Sequence, residues 1–240
     1  MRVKVFVEFE TAVTFQGLDD PASGKIGSAD AKRLVGASEG GESSKVERLR
    51  ELVADMGEFQ LGAFDGFIDS YTLDPEVVRF ITFCEGRNLE VCFLSDGMDY
   101  VVNRILRNNR VDAPVFANHV EVVPENEESV VSVMLECQHE NSECNHCACC
   151  ARNVMLGRSG DEDLIVYVGK GKAGFCPAKY ADLVFAKETL QRYCQEHNIS
   201  YLSYTTFGDV REQVERFLSR RTQRKRPRAE LKRRAAFSAE

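Results

Sequence analysis

Val3-Lys4-Val5-Phe6-Val7-Glu8-Phe9-Glu10-Thr11-Ala12-Val13-Thr14 is a run of Val and Phe that closes on two acids. Its apolar positions predict a strand buried on both faces, as in a parallel sheet. Ligands of such sheets gather at the carboxyl ends of the strands. Side chains alternate along a strand, so Glu8 and Glu10 are expected to point the same way at the mouth of the sheet. Two carboxylates gathered there are costly unless a cation holds them.

The chain has 240 residues, enough for one large domain or for a core carrying an inserted smaller one. Apolar residues make up 43% and charged residues 29%, ordinary values for a globular protein. No apolar run reaches the length of a membrane helix, and the first strand begins without a signal-peptide pattern. Nine cysteines without an export signal predict a reducing, cytoplasmic setting with thiols free, metal-bound or catalytic.

Working outward, Gly17 to Ser44 is rich in Gly, Ser, Ala and Asp and reads as loop, with one short helix around Ala29 to Val35. Val46, Leu49, Leu52 and Val53 form a helical stripe over Lys45 to Met56, and helical character continues over Asp65 to Ser70. Asp74-Pro75 opens another helix. Leu89 to Leu94 is a second buried strand, followed by a helix over Asp99 to Leu106. Val115 to Val123 and Ser129 to Leu135 alternate as a hairpin does, and a cysteine-dense loop follows. Leu164 to Val168, a short strand within Tyr180 to Phe185, and Tyr201 to Tyr204 complete the strands, with helices over Glu188 to Glu196 and Asp209 to Leu218. This alternation predicts an α/β fold with a doubly wound parallel sheet.

Several stretches in order resemble the haloacid-dehalogenase-like (HAD) phosphatases, in the branch holding phosphoserine phosphatase and the methionine-salvage ketoenol-phosphate phosphatase. Glu8 to Thr14, E-F-E-T-A-V-T, stands where that family has D-F-D-G-T-x-T. Ser95 to Tyr100, S-D-G-M-D-Y, is similar to the branch's S-G-G-M-D-F. Cys147 to Arg152, C-A-C-C-A-R, occupies the place of a Lys-bearing turn, and Gly169 to Gly174, G-K-G-K-A-G, that of G-D-G-x-S-D. Cys176 to Lys187 keeps the branch's helix-to-strand pattern.

The resemblance implies a HAD-like core over residues 1–14, 89–117 and 151–218, a helical cap over 15–88, and a small Cys-rich β insertion over 118–150. It implies phosphoryl transfer to the leading acid, the second acid as acid/base, Mg²⁺ between the first and fourth motifs, and Ser and Lys on the phosphate. The site positions are then Glu8, Glu10, Ser95, Arg152 and Lys170. Glu8 carries one methylene more than the family's nucleophile, a displacement of roughly an ångström that can cost ~100-fold. Lys170 stands where a metal ligand belongs, Gly174 replaces the next acid, and Ala151 replaces the Lys, with Arg152 beside it. Mg²⁺ is therefore not expected. Lys170 and Lys172 are expected to balance Glu8 and Glu10, with Lys170 as the buried counter-ion. Asp96 and Asp99 are the carboxylates from which a displaced metal site would be built. The expected function is that of a catalytically degenerate phosphatase-like protein acting by binding, as subunit, scaffold or regulator. The alternative is an active Mg²⁺-dependent phosphomonoesterase on a small phosphorylated metabolite.

Cys144-x-x-Cys147 has metal-knuckle spacing, and Cys137 with Cys149 or Cys150 can complete a thiolate site for Zn²⁺, with His139 and His146 close by. Cys137, Cys144, Cys147 and Cys150 are the candidate ligands. Cys84, Cys92, Cys176 and Cys194 lie in apolar contexts and read as core. Residues 219–240 carry nine Lys or Arg against Glu230 and Glu240, a net of +7 that leaves −14 on the rest of the chain. This tail is expected to be disordered, and Arg220 to Arg234 can contact an acidic protein, nucleic acid or anionic lipid.

Overall fold

The computed structural model describes residues 2–15, 44–125, 130–141, 147–220 and 223–237. The loop expected over Gly17 to Ser44, with its short helix around Ala29 to Val35, lies outside them except for Ser44. The chain divides into two compact units, residues 1–12, 74–93 and 151–240, and residues 13–73 and 94–150.

The first unit is a parallel sheet. Its strands are β1 (Val3–Glu8), β5 (Glu90–Met98, of which residues 90–93 belong here), β8 (Leu164–Gly169), β9 (Leu183–Ala186) and β10 (Leu202–Ser203), in the order β10-β9-β8-β1-β5. Val3 pairs with Leu164 and Val7 with Val168, Gly169 with Ala186, and Ser203 with Ala186, all in parallel. Every residue of β8 is buried, as the continuous Leu-Ile-Val-Tyr-Val run requires of an interior parallel strand.

The helices of this unit show why their sequences fold locally. In α3 (Pro75–Gly86) the Asp74 side chain accepts the Glu76 N–H at 2.9 Å and proline fills the first turn. Val77, Phe80, Ile81 and Cys84 then form one buried stripe. α7 (Phe207–Leu218) opens on a capping box between Thr206 and Asp209, and its Phe207 ring lies 5.7 Å from that of Phe80. The helix over 75–86, expected in a cap reaching residue 88, thus belongs to the sheet unit, because its apolar stripe packs there. α5 (Ala151–Arg158) and α6 (Glu188–Glu196) complete the expected order.

The tail corrects a second expectation. Residues 227–237 form helix α8, held by a buried carboxylate. Asp182 Oδ2 accepts the Ile165 N–H at 3.0 Å, and Oδ1 accepts the Arg226 N–H and the Arg233 guanidinium, each at 3.0 Å. Arg233 also donates to the Tyr180 carbonyl, and the side chains of Arg233 and Asp182 are only 7% and 1% exposed. A charge count reads this segment as a solvated run. One arginine in it is instead an anchor.

The second unit contains α1 (Lys45–Met56), β3 (Phe59–Gln60), α2 (Leu61–Ile68), the end of β5, α4 (Asp99–Asn108), β6 (Val115–Pro124) and β7 (Val130–Glu136). Its strands follow the order β5-β6-β7-β3, with β6/β7 and β3/β7 antiparallel, and β2 (Val13–Phe15) pairs antiparallel with β4 (Tyr71–Leu73). The β6/β7 hairpin is the one that the alternating pattern predicts. α1 begins with a reciprocal capping box between Ser44 and Glu47 and buries Val46, Leu49, Leu52 and Val53. β5 runs on to Met98, so Ser95 and Asp96 sit within a strand rather than after one.

Candidate active site at the strand ends

In the first unit the register brings four side chains of three chemical kinds to neighbouring strand ends. Glu8 closes β1, Lys170 follows β8, Lys187 follows β9 and Tyr204 follows β10. The Glu8 carboxylate is buried and accepts the main-chain N–H of Lys170 at 2.7 Å and of Gly171 at 3.3 Å. This contact explains two glycines of G-K-G-K-A-G. A Cβ on Gly169 would stand 2.7 Å from Glu8 Oε2, and one on Gly171 would stand 3.0 Å from Oε1. The extra methylene of glutamate carries its carboxylate up against that loop.

The surroundings hold this edge together. Thr11 Oγ1 donates to the Glu8 carbonyl at 2.7 Å, and the Tyr204 hydroxyl donates to the Gly169 carbonyl at 3.3 Å. Burial pushes the Tyr204 phenol well above its ordinary range. Lys187 Nζ lies 4.8 Å over the Tyr204 ring. Burial, and then the charge of Lys170, lower the Lys187 pKa, while Glu188, Asp74 and Glu8 act the other way. Glu188, the next residue, holds φ at 52°, a left-handed conformation unusual for a residue with a Cβ.

Two expectations are corrected here. Glu8 and Glu10 do not share a strand face, because the strand ends at Glu8 and Phe9–Thr11 form a 3-10 turn. Nor does the Lys170 ammonium pair with Glu8. It is the Lys170 amide that meets the carboxylate, and among the described residues Lys170 forms no ion pair. Main-chain N–H groups, not the Lys170 ammonium, meet the carboxylate on this side. Lys187 and Tyr204 escaped the sequence reading; the available signal was a lysine immediately after the apolar strand L-V-F-A. Arg152, in the first turn of α5, donates to Asn153 Oδ1 at 3.1 and 3.0 Å.

The remaining candidates lie in the second unit. Ser95 is buried and its Oγ accepts the Gly97 N–H at 3.0 Å. Asp96 is buried beside it. Its Oδ1 accepts the amides of Ala148 at 2.8 Å and Cys149 at 3.0 Å, and its Oδ2 pairs with Lys45 Nζ at 2.7 Å. Asn118 ties the same stretch down by donating to the Asp96 and Gly97 carbonyls at 2.8 and 3.1 Å. Asp99 accepts the Val120 N–H at 2.9 Å and pairs with His119 at 2.8 Å, which raises the His119 pKa.

Among the cysteines, Cys147, Cys149 and Cys150 are buried, Cys137 is partly exposed, and burial raises the Cys137 pKa. Cys144 and His146 lie outside the described residues. Cys84, Cys92 and Cys194 are core as expected, whereas Cys176 is only partly buried. Among the described residues no three His, Cys, Asp or Glu side chains converge as metal ligands. The loop after β8 presents main-chain amides to Glu8, and its side chains include no carboxylate where the family's Mg²⁺ needs one, so the residues described do not fit that ion. No described helix is long and apolar enough to cross a membrane.

Comparison with known proteins agrees with this architecture. A Bacillus cereus protein named 2-hydroxy-3-keto-5-methylthiopentenyl-1-phosphate phosphatase is 24% identical over 223 residues, 91% of this chain and 98% of that one. A protein of the same name from Exiguobacterium sibiricum is 28% identical over 138 residues, which span 57% of this chain and 60% of the relative. The phosphoserine phosphatase structure from T. onnurineus superimposes with a TM-score of 0.59 at 13% identity, over 90% of this chain and 95% of that one. A phospho-aspartyl intermediate analogue of phosphoserine phosphatase gives 0.54 at 17% identity, over 90% and 98%. The fold is therefore the α/β fold of the HAD-like phosphatases. Residues 43–202 match the family model described as "Putative Phosphatase", and the chain belongs to that family.

Proposed function

We propose that this chain is a phosphomonoesterase of its family, acting on a small phosphorylated metabolite, with turnover slowed by the geometry of Glu8. The observation that carries the reading is the buried Glu8 carboxylate at the carboxyl end of β1, oriented by the amides of Lys170 and Gly171. A positioned carboxylate there can attack phosphorus, break the ester P–O bond and form an acyl phosphate that water then hydrolyses. The long relatives named as phosphatases support the same class of activity.

Hydrolysis of a chromogenic aryl phosphate, with and without Mg²⁺, tests the proposal. Turnover is expected to be slow, to disappear in Glu8→Gln, and to rise in Glu8→Asp, where the shorter acid recovers part of a ~100-fold misplacement. Wild-type and Glu8→Gln rates equal to each other would overturn it.

One observation favours a second reading, binding without turnover as a subunit, scaffold or regulator. Glu8 is already engaged by the loop, and Lys170 occupies the place of an acid. A melting temperature raised by phosphorylated ligands in a protein without turnover would establish that reading instead.

A further inference from the structure

Lys170 and Lys187 leave the sheet side by side, because Gly169 and Ala186, the residues before them, are register partners on the parallel strands β8 and β9. The main chain fixes both departures. The Lys187 N–H donates to the Gly169 carbonyl at 3.3 Å, and the Leu190 N–H donates to the Lys170 carbonyl at 2.8 Å. Neither ammonium forms an ion pair among the described residues, and Lys187 Nζ lies over the face of Tyr204. Glu188, Asp74 and Glu8 act on Lys187 in the opposite sense to burial and Lys170, and its pKa is lowered all the same.

Like charges gathered on a half-buried edge repel each other and lose hydration. Such an arrangement is relieved by an anion that bridges them, and the carboxyl ends of parallel strands are where such ligands bind. Phosphate offers three or four acceptor oxygens to the several donors of two ammonium groups. The position also accounts for the poor fit to Mg²⁺. The charge of a bound phosphate would be met by side chains of the protein, at the edge where the family gathers a divalent cation.

We propose that Lys170 and Lys187 form an oxyanion site that takes the phosphate group of a monoester, or inorganic phosphate, directly and without a divalent cation. This rests on the reading that the chain acts on phosphomonoesters, but its test is independent of turnover. Inorganic phosphate is titrated into the full-length protein in the presence of EDTA, followed by calorimetry or by ³¹P NMR, and the measurement is repeated with sulfate and with a simple alkyl phosphate. Saturable binding is expected without metal. Lys187→Met and Lys170→Met should each weaken it roughly tenfold or more, as expected for loss of a charge-assisted contact. Lys187→Arg should stay within a few-fold of wild type, since the charge and donors remain. A purely structural lysine would not give this pattern.

Phosphate binding that requires Mg²⁺, or that is unchanged in both methionine variants, overturns the assignment. If Lys187→Met fails to fold, Lys170→Met and Lys187→Arg still decide the question. Lysine-dependent phosphate binding in a protein without esterase activity supports the oxyanion site and refutes the hydrolytic reading. Esterase activity insensitive to both lysines does the reverse.

Discussion

Replacing Arg233 by alanine should loosen the C-terminal helix and destabilise the protein. The guanidinium is buried against the Asp182 carboxylate and the Tyr180 carbonyl. Removing one partner of a buried ion pair costs about 3–5 kcal/mol, because the other charge stays behind without compensation. Asp182 would keep the N–H groups of Ile165 and Arg226, each at 3.0 Å. The expected loss is therefore near the lower end, about 3 kcal/mol, or roughly 6–12 °C in melting temperature for a chain of this size. Urea unfolding and calorimetry measure it, and trypsin should cut earlier at Arg224 and Arg228 as the helix undocks. The exposed Arg228→Ala should change stability by less than about 0.5 kcal/mol. Asp182→Asn combined with Arg233→Ala should cost less than the sum of the two changes, since the stranded charge is removed. An Arg233→Ala protein as stable and as protease-resistant as wild type would refute the anchoring role.

Other perturbations test other parts of the structure. Gly169→Ala places a Cβ 2.7 Å from both Glu8 Oε2 and Tyr167 Cε1 and should cost about 1–3 kcal/mol, whereas Gly157→Ala, with nothing within 4 Å in α5, should be neutral or stabilising in the same denaturation assay. Asp96→Ala removes the partner of Lys45 and of the Ala148 and Cys149 amides and should cost about 3 kcal/mol, read from the urea midpoint. His119 should titrate above 6.5 by NMR and return toward it in Asp99→Asn. Because its folded pKa is raised, the pair contributes fully below pH 6.5 and is lost as pH rises through the folded value. Burial pushes the Cys84 thiol up to about 12 and the Cys194 thiol up to about 11, so both should resist a thiol-specific chromogenic disulfide until the protein unfolds.

Much of the parallel sheet is legible in the amino-acid order. β1 and β8 are continuous apolar runs, and α1 and α3 declare themselves through Ser44, Asp74-Pro75 and regular apolar stripes. The site is legible only as far as residue identity carries. Glu8 was identifiable as the acid at the end of β1, but whether Lys170 meets it by side chain or by amide depends on how the loop turns at Gly169 and Gly171. The 3-10 turn at Phe9–Thr11 breaks the alternation that would align Glu10 with Glu8, and no local propensity announces it. The tail failed for a different reason. Its order depends on Asp182, some fifty residues away in sequence, and a charge count cannot find a partner at that distance.

The pairing of Val3 with Leu164 has a consequence for how the protein is made. Synthesis runs from the N-terminus, so β1 emerges early; its neighbour β5 follows from residue 90, but its partner on the other side, β8, comes only 161 positions after Val3. At ~5–20 residues per second this is roughly 8–32 s, during which the β8 side of an apolar Val-Phe strand stays unpaired. The second unit draws only on residues 13–150 and finishes translation before β8 appears. In a cell the assembly of the sheet is therefore a late event, and β1 is the segment that a holding chaperone has most reason to cover.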